Sequence, residues 1–279
     1  GISLPIVSAE NSLSYETKTE FPVHYYTSNT NQFTIYAVGA DFSGRNFDGL
    51  DLGNAIFDKA NLSDVSFKDA KLSGTSLASV NLTGTDISNI DFSNSNLAKI
   101  DLSKHDLSNT ILRGTNLSYA NLSGQDLSDK DLTGTILREA DLSNANLENF
   151  EFSGRDLTGA NLSGQDLSDK DLTKTILTGA DLTDTVLPDG ALSGKNFQDT
   201  LFNGVDLSGK DLSYSTFHYA SFDNANLENA NLASTQFIQV DFTKIKNKSL
   251  AGADLSIASL AHSNLSDVDL SGVTVSEIN

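Results

Sequence analysis

Carboxylates are the groups in this chain best placed to do chemistry, and their spacing decides which chemistry is open to them. Asp86, Asp106, Asp126, Asp166 and Asp206 recur at intervals of twenty or forty residues, and Asp91, Asp131, Asp171 and Asp211 form a second such series. General acid–base or nucleophilic catalysis needs groups that converge in a pocket. A long, evenly spaced series instead predicts ladders of charge along an outer surface. The pattern matches neither an EF-hand loop nor a β-roll calcium motif. His24, His105, His218 and His262 are scattered, without the short spacings of a metal site. The chain has no Cys, which removes disulfides, thiolate catalysis and Cys-ligated zinc. No catalytic residue, metal ligand or cofactor-binding residue is therefore expected. The formal net charge of −19 repels nucleic acid and anionic lipid and favours a basic partner. No stretch reaches the apolar length of a membrane span.

The element that positions these carboxylates is a repeat. From Phe42, every fifth residue through Phe242 is Leu, Phe or Ile, a run of 41 positions. Neither the helical period of 3.6 nor the strand period of 2 produces such a series. The residue before each large apolar centre is Asp or Asn in 27 of 41 repeats, so the carboxylate ladders are a product of the repeat. The residue two after the centre is Gly, Asn or Asp in 29 of 41, the types that best accept the positive φ of a type II turn. Each pentapeptide thus reads as a short extended piece and a tight turn. The centre and the residue two before it point inward, because side chains alternate along extended backbone.

Units such as Ala120-Asn121-Leu122-Ser123-Gly124 and Ala180-Asp181-Leu182-Thr183-Asp184 resemble the pentapeptide-repeat family, whose motif is A(D/N)LXX. The resemblance covers residues 40–242 and resumes at Leu250, Leu255, Leu260, Leu265, Leu270 and Val275. It implies an all-β fold, a right-handed quadrilateral β-helix in which four pentapeptides close one coil, with about twelve coils at a strand spacing of ~4.8 Å. Residues twenty apart would then stack, placing Phe197, Phe217 and Phe237 in one ladder and Phe202, Phe222 and Phe242 in the next. Residues 120–137 and 160–177 are near-copies, which points to duplication of a coil pair.

The sequence departs from the motif at nine inward positions: Arg45, His105, Gln125, Lys130, Arg155, Gln165, Lys170, Lys195 and Lys210. A buried unpaired ammonium is too costly to persist. Either these chains run along the inner wall to backbone carbonyls or carboxylates at a corner, or the turns rotate them outward. Residues 1–39 lack the repeat and read as a leader and N-terminal cap for an exposed β edge. Phe33, Ile35 and Tyr36 look like one strand; Phe21, Val23, Tyr25 and Tyr26 suggest another. Residues 1–15 read alternatively as a secretion or targeting leader. Residues 243–249, with Lys244, Lys246 and Lys248, read as a basic loop before the terminal coils and tail at 250–279. The last coil either pairs with a second copy, as in some relatives, or frays.

Binding is the remaining function class, with a protein partner and no direct contact to nucleic acid. Outward apolar or aromatic residues at Ile136, Ile176, Val186, Leu201, Tyr214, His218 and Tyr219 mark a docking patch. The repeat style is similar to pentapeptide-repeat effectors that bacteria deliver into host cells. That implies a non-enzymatic interaction scaffold, in the bacterial cytoplasm or secreted into a host. The alternative is a DNA mimic directed at gyrase, of the quinolone-resistance type, which would use the ladder of Asp86, Asp106, Asp126, Asp166 and Asp206.

Overall fold

A computed structural model describes residues 24–27 and 33–277. The strand expected through Phe33, Ile35 and Tyr36 is β2, Phe33–Tyr36, and it pairs antiparallel with β1, His24–Thr27. Phe21 and Val23, and the proposed leader at residues 1–15, lie outside the described residues. Tyr36 pairs in parallel with Ile56, so β2 lies between β1 and the first coil.

Beyond β2 the chain forms two compact units. One comprises the residues up to Asn121 with Asp129–Ile136, the other Leu122–Ser128 with the residues from Leu137 on. Both are built from parallel bridges between residues twenty apart. In the first unit Asp41 pairs with Asn61 and Asn61 with Asn81; in the second Asp141, Asn161, Asp181, Leu201 and Ser221 pair in succession. Twenty residues per coil at five per side gives four walls. In the second unit these begin at the centres Leu142, Leu147, Phe152 and Leu157, and are called walls one to four.

Three local interactions explain why the sequence adopts this path. The residue two after each centre falls mostly in the left-handed region, for example Asn54, Asp64 and Gly204. It closes a turn in which the next inward residue donates its N–H to the centre's carbonyl, as Ala60 does to Phe57 at 2.8 Å. The Asp or Asn before the centre then accepts the N–H two residues on: Ser128 N–H donates to Asp126 at 3.1 Å and Ser163 N–H to Asn161 at 3.0 Å. The Ser hydroxyl often donates to the same oxygen, at 2.6 Å for Asp126. The Asp/Asn-Leu-Ser/Thr triplet is therefore a self-capping unit, and Asn serves its geometry as well as Asp.

The centres fill the interior. Phe217 lies between Phe197 and Phe237, centroids 5.4 and 5.1 Å away with rings nearly parallel. Phe202 and Phe222 stack beside them at 5.1 Å, and the two ladders meet edge to face, as in Phe217–Phe222 at 5.5 Å. Both expected ladders are present. Such offset and T-shaped contacts add roughly 0.5–1.5 kcal/mol per pair beyond area burial.

The polar inward residues reach one of two corner carbonyls. Thr75, Thr115, Thr135, Thr185 and Thr235 donate to the centre of their own turn, three residues earlier; others donate to the centre carbonyl 23 residues earlier, at the corner one coil back. Thr85 reaches Leu62 at 2.6 Å, Thr175 reaches Phe152 at 2.8 Å and Ser215 reaches Leu192 at 3.1 Å. Larger departures reach one coil back too: Gln165 reaches Leu142 at 3.0 Å, Lys170 reaches Leu147 at 3.0 Å, Lys195 reaches Leu172 at 2.7 Å and Lys130 reaches Leu107. His105 Nε2 lies 2.9 Å from the Leu82 carbonyl, which requires that nitrogen to carry the hydrogen. The Lys130 and Lys170 side chains are only 6% and 12% exposed, so the inward alternative holds for them.

After Phe242 the chain makes two 3-10 turns, Phe242–Lys244 and Lys246–Lys248. Ile245 between them is buried, and Lys244, Lys246 and Lys248 are exposed. The three extra residues shift the pairing from twenty to 23, as in Asn231 with Asp254, after which twenty is restored between Ser249 and Asp269.

Candidate interaction surfaces

The side chains of the centres fill the interior, and among the described residues no cluster of His, Asp or Glu is arranged to hold a metal. Chemistry is confined to outer walls and ends, and three surfaces stand out.

The first is the acidic ladder. Asp86 and Asp106 lie in the first unit. In the second, Asp126, Asp166 and Asp206 pair with Asn146, Val186 and Asn226 on wall two, so neutral residues alternate with the carboxylates. The hydroxyls and N–H groups of Ser88, Ser108, Ser168 and Ser208 hold Asp86, Asp106, Asp166 and Asp206 below the usual carboxylate range. These ladders keep their charge into mildly acidic solution.

The second is wall four of the second unit. Its outward residues from the coil of Leu177 onward are Ile176 and Thr178, Asn196 and Gln198, Thr216 and His218, Gln236 and Ile238, Ser259 and Ala261. None is charged, whereas wall three carries Asp171, Asp211 and Asp254 over the same coils. At the wall's corners stand Tyr214 and Tyr219, 73% and 49% exposed, both with left-handed φ near 60°. That region is uncommon for bulky residues. His218 packs its ring edge-on to Tyr219 at 6.4 Å. Ile257, also left-handed and exposed, follows two coils on at the Tyr214 corner.

Of the residues singled out from the sequence, wall four gathers Ile176, Tyr214, His218 and Tyr219. Val186 is exposed on wall two, the side opposite. Leu201 is half-buried on wall one, paired with Ser221. Ile136 belongs to the first unit, where it pairs with Asn116. Ile238 and Ile257 join the wall-four residues, Ile238 in the uncharged stack of Thr178, Gln198, His218 and Ala261, and Ile257 in the stack of Tyr214.

The third surface is the C-terminal end. Elsewhere the centres are buried, but Leu260 and Leu265 are half-buried, and Leu270 and Val275 are 48% and 58% exposed. With Leu255 and Val273 they line a shallow apolar concavity.

The family model for pentapeptide repeats matches eight times, over residues 38–74, 75–114, 115–154, 156–189, 211–246 and 248–278. Among solved structures, HetL, a pentapeptide repeat protein involved in heterocyst differentiation regulation in Nostoc sp. strain PCC 7120, is 25% identical over 87% of each chain, with a TM-score of 0.24. QnrB1, a plasmid-mediated fluoroquinolone resistance protein, is 17% identical over 86% of this chain and 91% of its own, with a TM-score of 0.22. A pentapeptide repeat protein of the Arabidopsis thaliana thylakoid lumen is 30% identical over 40% of this chain and 70% of its own, with a TM-score of 0.19. No curated protein matches the sequence. The repeat matches span most of the chain and coincide with the five-residue turns and twenty-residue pairings described above; the chain belongs to the pentapeptide-repeat family, whose members form right-handed quadrilateral β-helices.

Proposed function

We propose that this chain is a non-catalytic scaffold that docks a protein partner on wall four of the second unit. The observation that carries this reading is the absence of charge at the positions flanking each centre of this wall from Ile176 to Ala261, with charge confined to its corners at Lys174 and Asp199, in a chain of net charge −19. Depletion of charge with exposed tyrosines is the composition of an interface core. The repeat style fits an effector that a bacterium delivers into a host cell. The exposed apolar centres Leu270 and Val275 support a homodimer through the C-terminal coil.

A second reading, a gyrase-directed DNA mimic, is favoured by carboxylates held ionised at Asp86, Asp106, Asp166 and Asp206. Supercoiling by purified gyrase, with increasing amounts of this protein at two salt concentrations, separates the two. A scaffold leaves supercoiling unchanged. A mimic inhibits it, loses that inhibition steeply with salt, and loses it again when Asp126, Asp166 and Asp206 are changed to Asn. Capture of a partner from host lysate completes the test. Under the scaffold reading, Tyr214→Asp with Tyr219→Asp abolishes capture, and the three Asn substitutions leave it intact.

A further inference from the structure

We propose that wall three of the second unit, from Phe150 to Asp211, is a built-in seam at which neighbouring coils part locally, latched at one corner by the Asp189–Lys210 ion pair. On wall one of these coils the backbone ladder is complete: Leu162 donates to Asp181 at 2.9 Å, Asp181 to Ala160 at 2.9 Å, Leu182 to Leu201 at 2.8 Å and Leu201 to Ala180 at 3.0 Å. On wall three the equivalent bonds are missing across three successive steps, and Gly154 to Thr173 at 2.9 Å and Gly194 to Ser213 at 2.8 Å are the backbone bonds that remain there. Phe152 does not donate to Asp171, nor Leu172 to Ala191, nor Leu192 to Asp211, and no bridge joins Asp171, Ala191 and Asp211. The ladder resumes where Asp211 pairs with Asn231.

The corner leading into this wall differs as well. Asn149, Asp169 and Asp189 are not in the left-handed region that the matching residue occupies at Gly209. The inward residues that follow, Phe150 and Lys170, are large. Phe150 holds the Arg155 guanidinium 4.7 Å from its ring centroid, and Lys170 spans the carbonyls of Leu147 and Glu148. At the next corner Pro188-Asp189-Gly190 has the residue order of a type I turn, and Ala191 is forced to a φ of 62°. Side-chain ties therefore stand where backbone ties are few.

Lys210 shows how this wall is closed. By the rule its neighbours obey, its ammonium belongs on the Leu187 carbonyl. It reaches instead to the Asp189 carboxylate at 2.9 Å, with its own side chain only 13% exposed and the carboxylate in solvent. A tie with one end in water is weakened by salt, whereas those of Lys170 and Lys195 end on inner carbonyls.

Hydrogen exchange of the full-length protein, read amide by amide at low and high salt, tests this. The expectation is that Leu172, Ala191, Leu192 and Asp211 exchange roughly tenfold or more faster than Asp181, Leu182, Leu201 and Phe202 in the same coils. Asp189→Ala and Lys210→Met, and high salt in the wild type, should each speed the amides of residues 189–193 several-fold further and leave wall one unchanged. Equal protection of the two walls in the wild type would overturn the seam. Variants that speed both walls alike, or neither, would overturn the latch.

Discussion

The ammonium of Lys170 donates to the carbonyl of Leu147, which already accepts the N–H of Phe150 at 3.0 Å, so one oxygen at an inner corner serves both its own turn and the next coil. A carbonyl has two lone pairs, and this geometry uses both. It explains how a buried lysine replaces the usual small residue without an unpaired charge. Lys170→Met removes the donor and the cost of burying the cation together, and it should change stability by no more than about 1–1.5 kcal/mol. Lys170→Glu sets a carboxylate against two carbonyls and should cost several kcal/mol. Thermal melts that rank the two variants as equal would place this side chain in solvent.

Lys195 tests a second such corner, at the Leu172 carbonyl, through pH. Burial lowers its pKa, and Asp171 opposes the shift without cancelling it. Its folded pKa thus lies below its unfolded value, so between the two the unfolded chain binds more protons and stability rises with pH. At neutral pH the charged form is a net cost to the fold. Lys195→Met should therefore raise the melting temperature at pH 7, and it should flatten the alkaline rise of the wild type as pH approaches the ordinary lysine range. Melting curves across that range, wild type against variant, decide it.

Asp184 and Gly204 are matched across one coil. The Asp184 carboxylate oxygen lies 2.1 Å from where a β-carbon on Gly204 would be, and Gly204 has a φ of +73°. Gly204→Ala should cost about 1–2 kcal/mol for the left-handed conformation alone, with a further penalty for the contact. Adding Asp184→Gly should recover the contact penalty and leave the conformational one. A double-mutant cycle by denaturant unfolding measures that recovery, and strict additivity would refute the contact.

These pairs mark what was legible in the sequence. The five-residue period and the inward centres followed from spacing, because one large apolar residue per turn has a single way to be buried; the two Phe ladders followed from the four-repeat coil that the family resemblance implies. The Asp-Gly and Asn-Gly matches at corners, such as Asn54 against Gly74, Asn94 against Gly114 and Asp184 against Gly204, join a residue to the glycine twenty residues on. Their cause is steric and appears only once side chains are seen to lean on the next coil. The corner carbonyl rule was half legible: Lys130 and Lys170 were marked as needing partners, but a separation of 23 residues has no counterpart in a period of five. Leu201 and Val186 looked alike as apolar substitutes for Asp, yet their walls differ, and so does their exposure. The candidate site was legible as single residues and not as a wall.

The carboxylates before the centres should be replaceable by Asn without loss of fold at neutral pH, since Asn161 accepts the Ser163 N–H as Asp166 accepts that of Ser168, both at 3.0 Å. The acid limb should nonetheless change. The Ser168 and Ser208 hydroxyls and N–H groups depress the Asp166 and Asp206 pKa values, so their contribution is present above the unfolded carboxylate pKa and fades as pH falls through the folded one. Asp166→Asn with Asp206→Asn should melt like the wild type at pH 7 and lose less stability on acidification to pH 3. Asp166→Ala, which lacks the acceptor, should be less stable at both pH values. If the Asn pair were to unfold at neutral pH, the carboxylates would be structural charges, and the same substitutions could not be used to read recognition.

The exposed centres Leu270 and Val275 lie in a repeat pattern that buries every such residue from Phe42 to Leu255, so they present apolar surface that the same pattern covers elsewhere. Covering them with a second copy would remove apolar surface worth roughly 25 cal/mol per Å², before the cost of association. The homodimer predicts a concentration-dependent shift between one and two chains in sedimentation velocity. Leu270→Asp should abolish it, because a carboxylate in the paired end would be desolvated without a partner. Its melt at low concentration should match that of the wild type, since Leu270 is already half in solvent in the single chain. Dimerisation that survives Leu270→Asp would move the contact elsewhere, and the uncharged wall four would be the next surface to substitute.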